Sequence, residues 1–200
     1  QDVWGNPVAG LNSWQGIANV GIGAIPGVFA EWVAKGGGKA LQAIIKACAR
    51  NSFTPDTLVH TDKGLLTIGS LVTLSTTTRA LAYNEATGEN EYQPILTVFE
   101  NQDPEVTYLS IQDTESLRYE MLVTTPGHPF YLEENVDNSD RPAPQGHEDL
   151  TEPWVGAGDL KLGDKIRQGD GTTGTVKIVK TVEQTKTMYN LDVATLDNFY

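Results

Sequence analysis

Cysteine is nearly absent from this chain. Cys48 is the only one in 200 residues, which excludes an intrachain disulfide and a cysteine-based zinc site. Histidine is scarce too, with three, so any imidazole chemistry must come from His60, His128 or His147. Lysine and arginine number 14 against 26 acidic residues, and the imbalance is uneven, with residues 1–51 carrying a net +2 and residues 52–200 a net −14. A domain this acidic repels phosphate backbones, so nucleic acid is not expected as a partner. A clean apolar run of spanning length is also missing. Residues 17–33 are largely apolar but hold Pro26 and three glycines, and no stable membrane insertion is expected of them. No basic segment precedes an apolar stretch and a small-residue cleavage site, so no signal peptide is read. Gln1 in place of an initiator Met is expected of a piece of a longer polypeptide.

What is present divides at Asn51-Ser52. Upstream lies a Gly/Ala-rich leader. From Pro26, a favoured first helical position, Val28, Phe29, Trp32 and Val33 share one face of a short helix that should break at Gly36-Gly37-Gly38. A second helix is expected over 39–49, with Leu41, Ile44, Ile45 and Cys48 on its apolar face, where Cys48 reads as a small buried hydrophobe. A membrane-active or partner-binding helix is the sharper alternative for this segment.

After Ser52, β-branched residues and closely spaced turn signals predict an all-β domain. Strands are expected over 57–60, 65–68, 78–83, 91–100, 106–112, 118–124, 175–186 and 188–199. Residues 133–153, with seven acids and three prolines, are expected to form a long exposed loop. Calcium suits such carboxylates, but no EF-hand-like spacing is present, and a solvated loop is expected. No motif asks for a metal or a cofactor. A weak internal echo relates 66–71 to 155–160, each preceding a charged strand, which would suit two similar lobes.

A serine that opens a folded domain can attack the carbonyl just before it, because the fold keeps nucleophile and electrophile together. The product is an ester in place of the Asn51–Ser52 amide. A serine hydroxyl is a poor nucleophile at its free pKa, so the site must supply a proton to the leaving amine. His128, in Thr124-Thr125-Pro126-Gly127-His128-Pro129, is the natural donor. Thr125 could hold the scissile amide. His60 reads as a surface strand residue and His147 as solvent-exposed in the acidic loop. A Ser52–His128–Asp197 hydrolase acting on other molecules is a further alternative.

Several blocks together carry a resemblance. They are Ser52-Phe53-x-Pro55-x-Thr57-Leu58-Val59, Ala82-Tyr83-Asn84-x-x-Thr87-Gly88, Thr125-Pro126-Gly127-His128-Pro129-Phe130, Trp154-x-x-Ala157-x-Asp159-Leu160-x-x-Gly163-Asp164, Tyr189-Asn190-Leu191-x-Val193 and Phe199-Tyr200. In this order they resemble the Hint family, the self-processing module shared by hedgehog proteins and inteins, and in particular bacterial intein-like and pre-toxin Hint domains of large secreted toxins.

The resemblance spans Ser52–Tyr200 and implies an all-β horseshoe of two pseudo-symmetric lobes. It also implies a bacterial, secreted or cell-surface setting, and a single-turnover autoprotease whose partners are its own flanking segments. Residue by residue, Ser52 matches the first-position nucleophile, and Thr125 and His128 match the Thr-x-x-His motif that activates the upstream bond. Three departures stand out. Serine replaces the more usual cysteine. Residues 71–79 lack the Gly-Asp turn that Gly163-Asp164 retains in the second lobe, so that turn should be rebuilt. Asp197 stands where the family has a histidine, and the sequence stops before the terminal His-Asn, so no C-terminal cleavage is expected. These departures favour the competing reading, a degenerate, non-cleaving structural or interaction module.

Overall fold

The computed structural model describes residues 51–147 and 150–200. The two leader helices and Cys48 therefore lie outside the described residues. Among the described residues nine antiparallel strands follow Ser52: β1 (Leu58–Thr61), β2 (Gly64–Thr67), β3 (Arg79–Asn84), β4 (Glu89–Asp113), β5 (Tyr119–Thr124), β6 (Pro129–Glu134), β7 (Trp154–Gly156), β8 (Lys165–Arg167) and β9 (Thr173–Val193). They run in the order β2-β1-β3-β4-β9-β8-β6-β7, and β5 pairs with β4. The all-β expectation holds.

The echo between 66–71 and 155–160 is structural. In each case a short strand runs into a 3-10 turn, Ile68–Ser70 after β2 and Ala157–Asp159 after β7. Each unit builds its own core by borrowing opposite halves of the long β4/β9 ribbon. Val59, Ile68, Leu71, Ala80 and Ala82 pack on Ile95 at the start of β4 and on Leu191 and Val193 at the end of β9. Leu132, Val155, Ala157, Leu160 and Ile166 pack on Leu109 and Ile111 near the end of β4 and on Val176 near the start of β9. Neither unit could bury its apolar face alone, which makes the ribbon the shared spine of two lobes.

Two pairs of expected strands are single strands in the structure. Pro104 reads as a break in sequence, since proline donates no ladder hydrogen bond. Here the β4/β9 register shifts between Asp103 and Glu105, so Pro104 sits in a bulge with no register partner and β4 continues through it. The expected return strand 188–199 stops earlier, at Val193. Beyond it the chain turns through Thr195 and Asp197, both at positive φ. Tyr200 then closes on the first lobe, donating its N–H to the Leu81 carbonyl at 2.9 Å and accepting from the His60 N–H at 2.7 Å.

The region where the first lobe lacks Gly-Asp is indeed rebuilt, as one α turn (Leu71–Leu74) and a 3-10 turn (Ser75–Thr77). There the Thr78 hydroxyl donates to the Leu74 carbonyl at 2.7 Å. In the second lobe Gly163, at φ +98°, makes the tight turn and Asp164 is fully buried. Its carboxylate accepts from the Lys161 and Val136 N–H groups at 2.8 and 3.1 Å and from the Arg141 guanidinium at 3.0 Å.

Most described residues of 133–153 are exposed, as expected, and that ion pair marks the exception. Glu133 and Glu134 belong to β6, and Arg141 and His147 are buried. Asp137 bridges Arg141 and Lys161 at 3.0 and 2.6 Å, so its carboxylate is already neutralised by cations of the chain. Among the described residues no helix is long and apolar enough to cross a membrane.

Candidate active site

Residues 52–54 form a miniature strand wedged between the ends of β5 and β9. Phe53 exchanges both backbone hydrogen bonds with Tyr189, at 2.8 and 2.7 Å, and the Thr54 N–H donates to the Val123 carbonyl at 3.1 Å. The Phe53 ring packs into the first lobe's core, which anchors the segment by burial of apolar area. Asn51 and Ser52 are consequently enclosed, at 2% and 0% exposure. This enclosure argues against the hydrolase alternative, because a fully buried Ser52 offers no approach to an outside substrate.

Every polar group of the Ser52 backbone is engaged by the end of β5. Its carbonyl accepts from the Thr125 N–H and the Thr124 hydroxyl, each at 2.9 Å. Its N–H, the nitrogen of the Asn51–Ser52 peptide, donates to the Thr125 hydroxyl at 2.9 Å. The following residues turn sharply, with the His128 N–H donating to the Thr125 carbonyl at 3.1 Å. Pro126 presets the backbone for the first corner of that turn. The second lobe fastens it from below through the Ala157 and Gly158 N–H groups, each 2.9 Å from the carbonyls of His128 and Pro126 respectively.

The His128 ring is packed among phenyl rings, with centroids 4.2 Å from Phe53, 5.6 Å from Phe130 and 6.3 Å from Phe199. Burial pushes its pKa down to about 3, helped by the neighbouring His147 and opposed by a hydrogen bond to the Asn51 backbone. The ring thus lies near the Asn51 backbone. Its Nδ1 is buried without a hydrogen-bond partner. At neutral pH the ring is an uncharged imidazole beside the bond, able to take a proton before giving one.

The Ser52 hydroxyl donates to the Asn101 side-chain oxygen at 3.2 Å, and Asn101 in turn donates to buried Asp103. Neither residue stands out in sequence. The one signal was the run Asn101-Gln102-Asp103-Pro104, polar residues interrupting a β pattern, which read as a strand break. His147 is the second surprise. Expected in solvent, it is buried, and its Nε2 meets the Asn51 side-chain amide. His60 is exposed, as expected of a surface strand residue.

Asp197 lines the same cleft as Asn51 and His128, a space of about 520 Å³. Desolvation, with the charge of Asp192 added, pushes its pKa up to about 6. The structure thus brings together Ser52, Thr125 and His128 around one peptide, with Asp197 in the adjoining cleft.

No family model and no curated protein matches the chain. Solved structures do. A bacterial intein-like domain from Clostridium thermocellum is 24% identical, covering 73% of this chain and 88% of that one with a TM-score of 0.54. The DnaB intein from Synechocystis sp. PCC 6803 is 16% identical over 74% and 91%, with a TM-score of 0.55. The DnaX mini intein from Spirulina platensis is 18% identical over 74% and 93%, with a TM-score of 0.52. At such identities the likeness speaks for the fold, and the fold is the Hint architecture of inteins and intein-like domains.

Proposed function

We propose that this intein-fold domain processes itself, by a single-turnover shift of the Asn51 acyl group from the Ser52 nitrogen to the Ser52 oxygen, followed by release of residues 1–51. The observation that carries the reading is the Thr125 hydroxyl 2.9 Å from the Ser52 nitrogen, with His128 one tight turn further on. A strand pairing needs no side-chain acceptor on that amide, whereas a reaction that breaks it does need the nitrogen held and a proton carrier beside it.

In the resting arrangement Oγ points to Asn101, so the step begins with rotation of the Ser52 side chain. Oγ then bonds to the Asn51 carbonyl carbon while its proton passes to neutral His128. The imidazolium returns that proton to the Ser52 nitrogen as the C–N bond breaks. An ester and a free amine result. Water or an added nucleophile takes the acyl group, and the Ser52 hydroxyl is restored.

The same long 3.2 Å contact to Asn101 favours the rival reading, a module that never cleaves. One experiment separates them. Incubation of the chain with hydroxylamine should release residues 1–51 as a hydroxamate, seen as a mass loss, with Ser52→Cys faster and Thr125→Val slower. Intact mass for both the native chain and Ser52→Cys would leave only the non-cleaving module.

A further inference from the structure

We propose that Gly127 and the turn 144–147 form a recognition pocket for the side chain preceding the scissile bond, selective for a carboxamide, with His147 as its reader. The inference rests on the self-processing reading and adds to it a specificity-determining residue, one that the acidic loop contributes.

Asn51 is 2% exposed and His147 8% exposed, so their contact is made out of water. The Asn51 side-chain amide faces the His147 Nε2; a carboxamide carries both a donor and an acceptor, so turned either way it meets this ring nitrogen in either role. An apolar side chain at that place removes the amide that the ring nitrogen meets, and loss of a buried hydrogen bond is costly. A Cβ on Gly127 would stand 2.8 Å from the Gln145 carbonyl oxygen and 3.3 Å from the Asn51 side-chain oxygen. The lack of a side chain at Gly127 therefore lets the activating turn, the loop and the residue before Ser52 pack together.

The loop is held in place for this task. The His147 N–H donates to the Pro144 carbonyl at 2.9 Å and the Leu150 N–H to the His147 carbonyl at 3.0 Å. Further back, Arg141 is pinned to Asp164 at 3.0 Å. His147 does not touch the Ser52 oxygen or nitrogen in any hydrogen bond, so its role is selection of the upstream residue, separate from proton transfer.

The test compares hydroxylamine-dependent release of residues 1–51 in the full chain for Asn51, Asn51→Ala and Asn51→Gln, each with His147, His147→Ala and His147→Gln. With His147 the native Asn51 should be released about tenfold faster or more than Asn51→Ala, and Asn51→Gln, which keeps the carboxamide, should lie between the two. His147→Ala should bring the Asn-over-Ala ratio to about one, while His147→Gln, whose carboxamide also meets the Asn51 amide in either role, should keep most of it. An Asn-over-Ala ratio unchanged by His147→Ala overturns the inference.

A second measurement stands apart from cleavage. In Ser52→Ala chains, which form no ester, the melting-temperature losses of Asn51→Ala and His147→Ala should be clearly non-additive in the double variant. Additive losses overturn the pocket. Non-additive losses in chains that never cleave, even with Ser52→Cys, would overturn the self-processing reading and leave the pocket standing.

Discussion

His128 and His147 converge on one residue, Asn51, from two different kinds of backbone. His128 comes from a four-residue turn fastened to both lobes, lies among three phenyl rings and meets the backbone of Asn51. His147 comes from a long irregular loop, is held by local turns and a distant ion pair, and meets the side chain of Asn51. The first environment surrounds a half-buried imidazole with apolar rings and leaves Nδ1 without a partner, a state suited to moving a proton. The second satisfies an imidazole by a carboxamide, a state suited to choosing a neighbour. Two residues of one type thus acquire different tasks from burial and partner alone.

The sharpest way to break the comparison is to delete each ring in turn. His128→Ala should slow hydroxylamine-dependent release by about 10²–10⁴-fold, the span expected for a positioned acid–base group, against about tenfold for His147→Ala. Equal losses, read by mass spectrometry, would mean that the two rings share one task.

Next in size is the pin that holds His147's loop. Asp164→Ala removes the buried partner of Arg141 and the acceptor of the Lys161 and Val136 N–H groups, leaving Asp137 as the remaining carboxylate beside the guanidinium, at a cost of about 3 kcal/mol in chemical denaturation. Hydrogen exchange should quicken at the 144–147 turn while the Thr125–His128 turn stays protected. Uniform quickening would show that both histidines depend on the same support.

A smaller effect is the pH dependence of stability. An imidazole held at about 3 when folded and near its ordinary value when unfolded binds fewer protons in the folded state. Its influence is absent above about pH 6.5, and it costs stability progressively as pH falls from there towards 3. His128→Phe should flatten that part of the acid limb. Identical acid limbs for native and His128→Phe chains would show that burial of this ring is not linked to protons.

The smallest effect belongs to Asp197. Raised to about 6, it costs the fold stability once ionised, above that pH, and costs nothing below about pH 4. Asp197 keeps more than a third of its surface exposed, so solvent screening keeps the effect small. Asp197→Asn should raise the melting temperature slightly at pH 7 and leave it unchanged at pH 4. Asparagine also tolerates the left-handed backbone at this position. A drop in melting temperature at pH 7 would mean that the carboxylate is favourably held.

Much of this was legible in the chain itself. Alternating β-branched residues and turn signals gave the all-β class. The segments 66–71 and 155–160 carry a weak echo of a doubled unit, and the order of motif blocks, through the family resemblance it carries, points to Ser52, Thr125 and His128 as one constellation. The strands and turns are local patterns, fixed by sterics and alternation, whereas Ser52 and Thr125, 73 residues apart, are linked in sequence only by the order of the blocks.

What tertiary structure alone decided depends on distance along the chain. Pro104 could sit within β4 only because a register shift against β9 absorbs it. Asn101 became the acceptor for Ser52, 49 residues away in sequence. Most of the acidic loop is exposed, as its charge predicts, yet Asp164 draws Arg141 inward across 23 residues, and His147 meets Asn51 across 96. Net charge describes a segment's average preference for water. Which of its side chains leave water is settled by the partners that the fold brings to them.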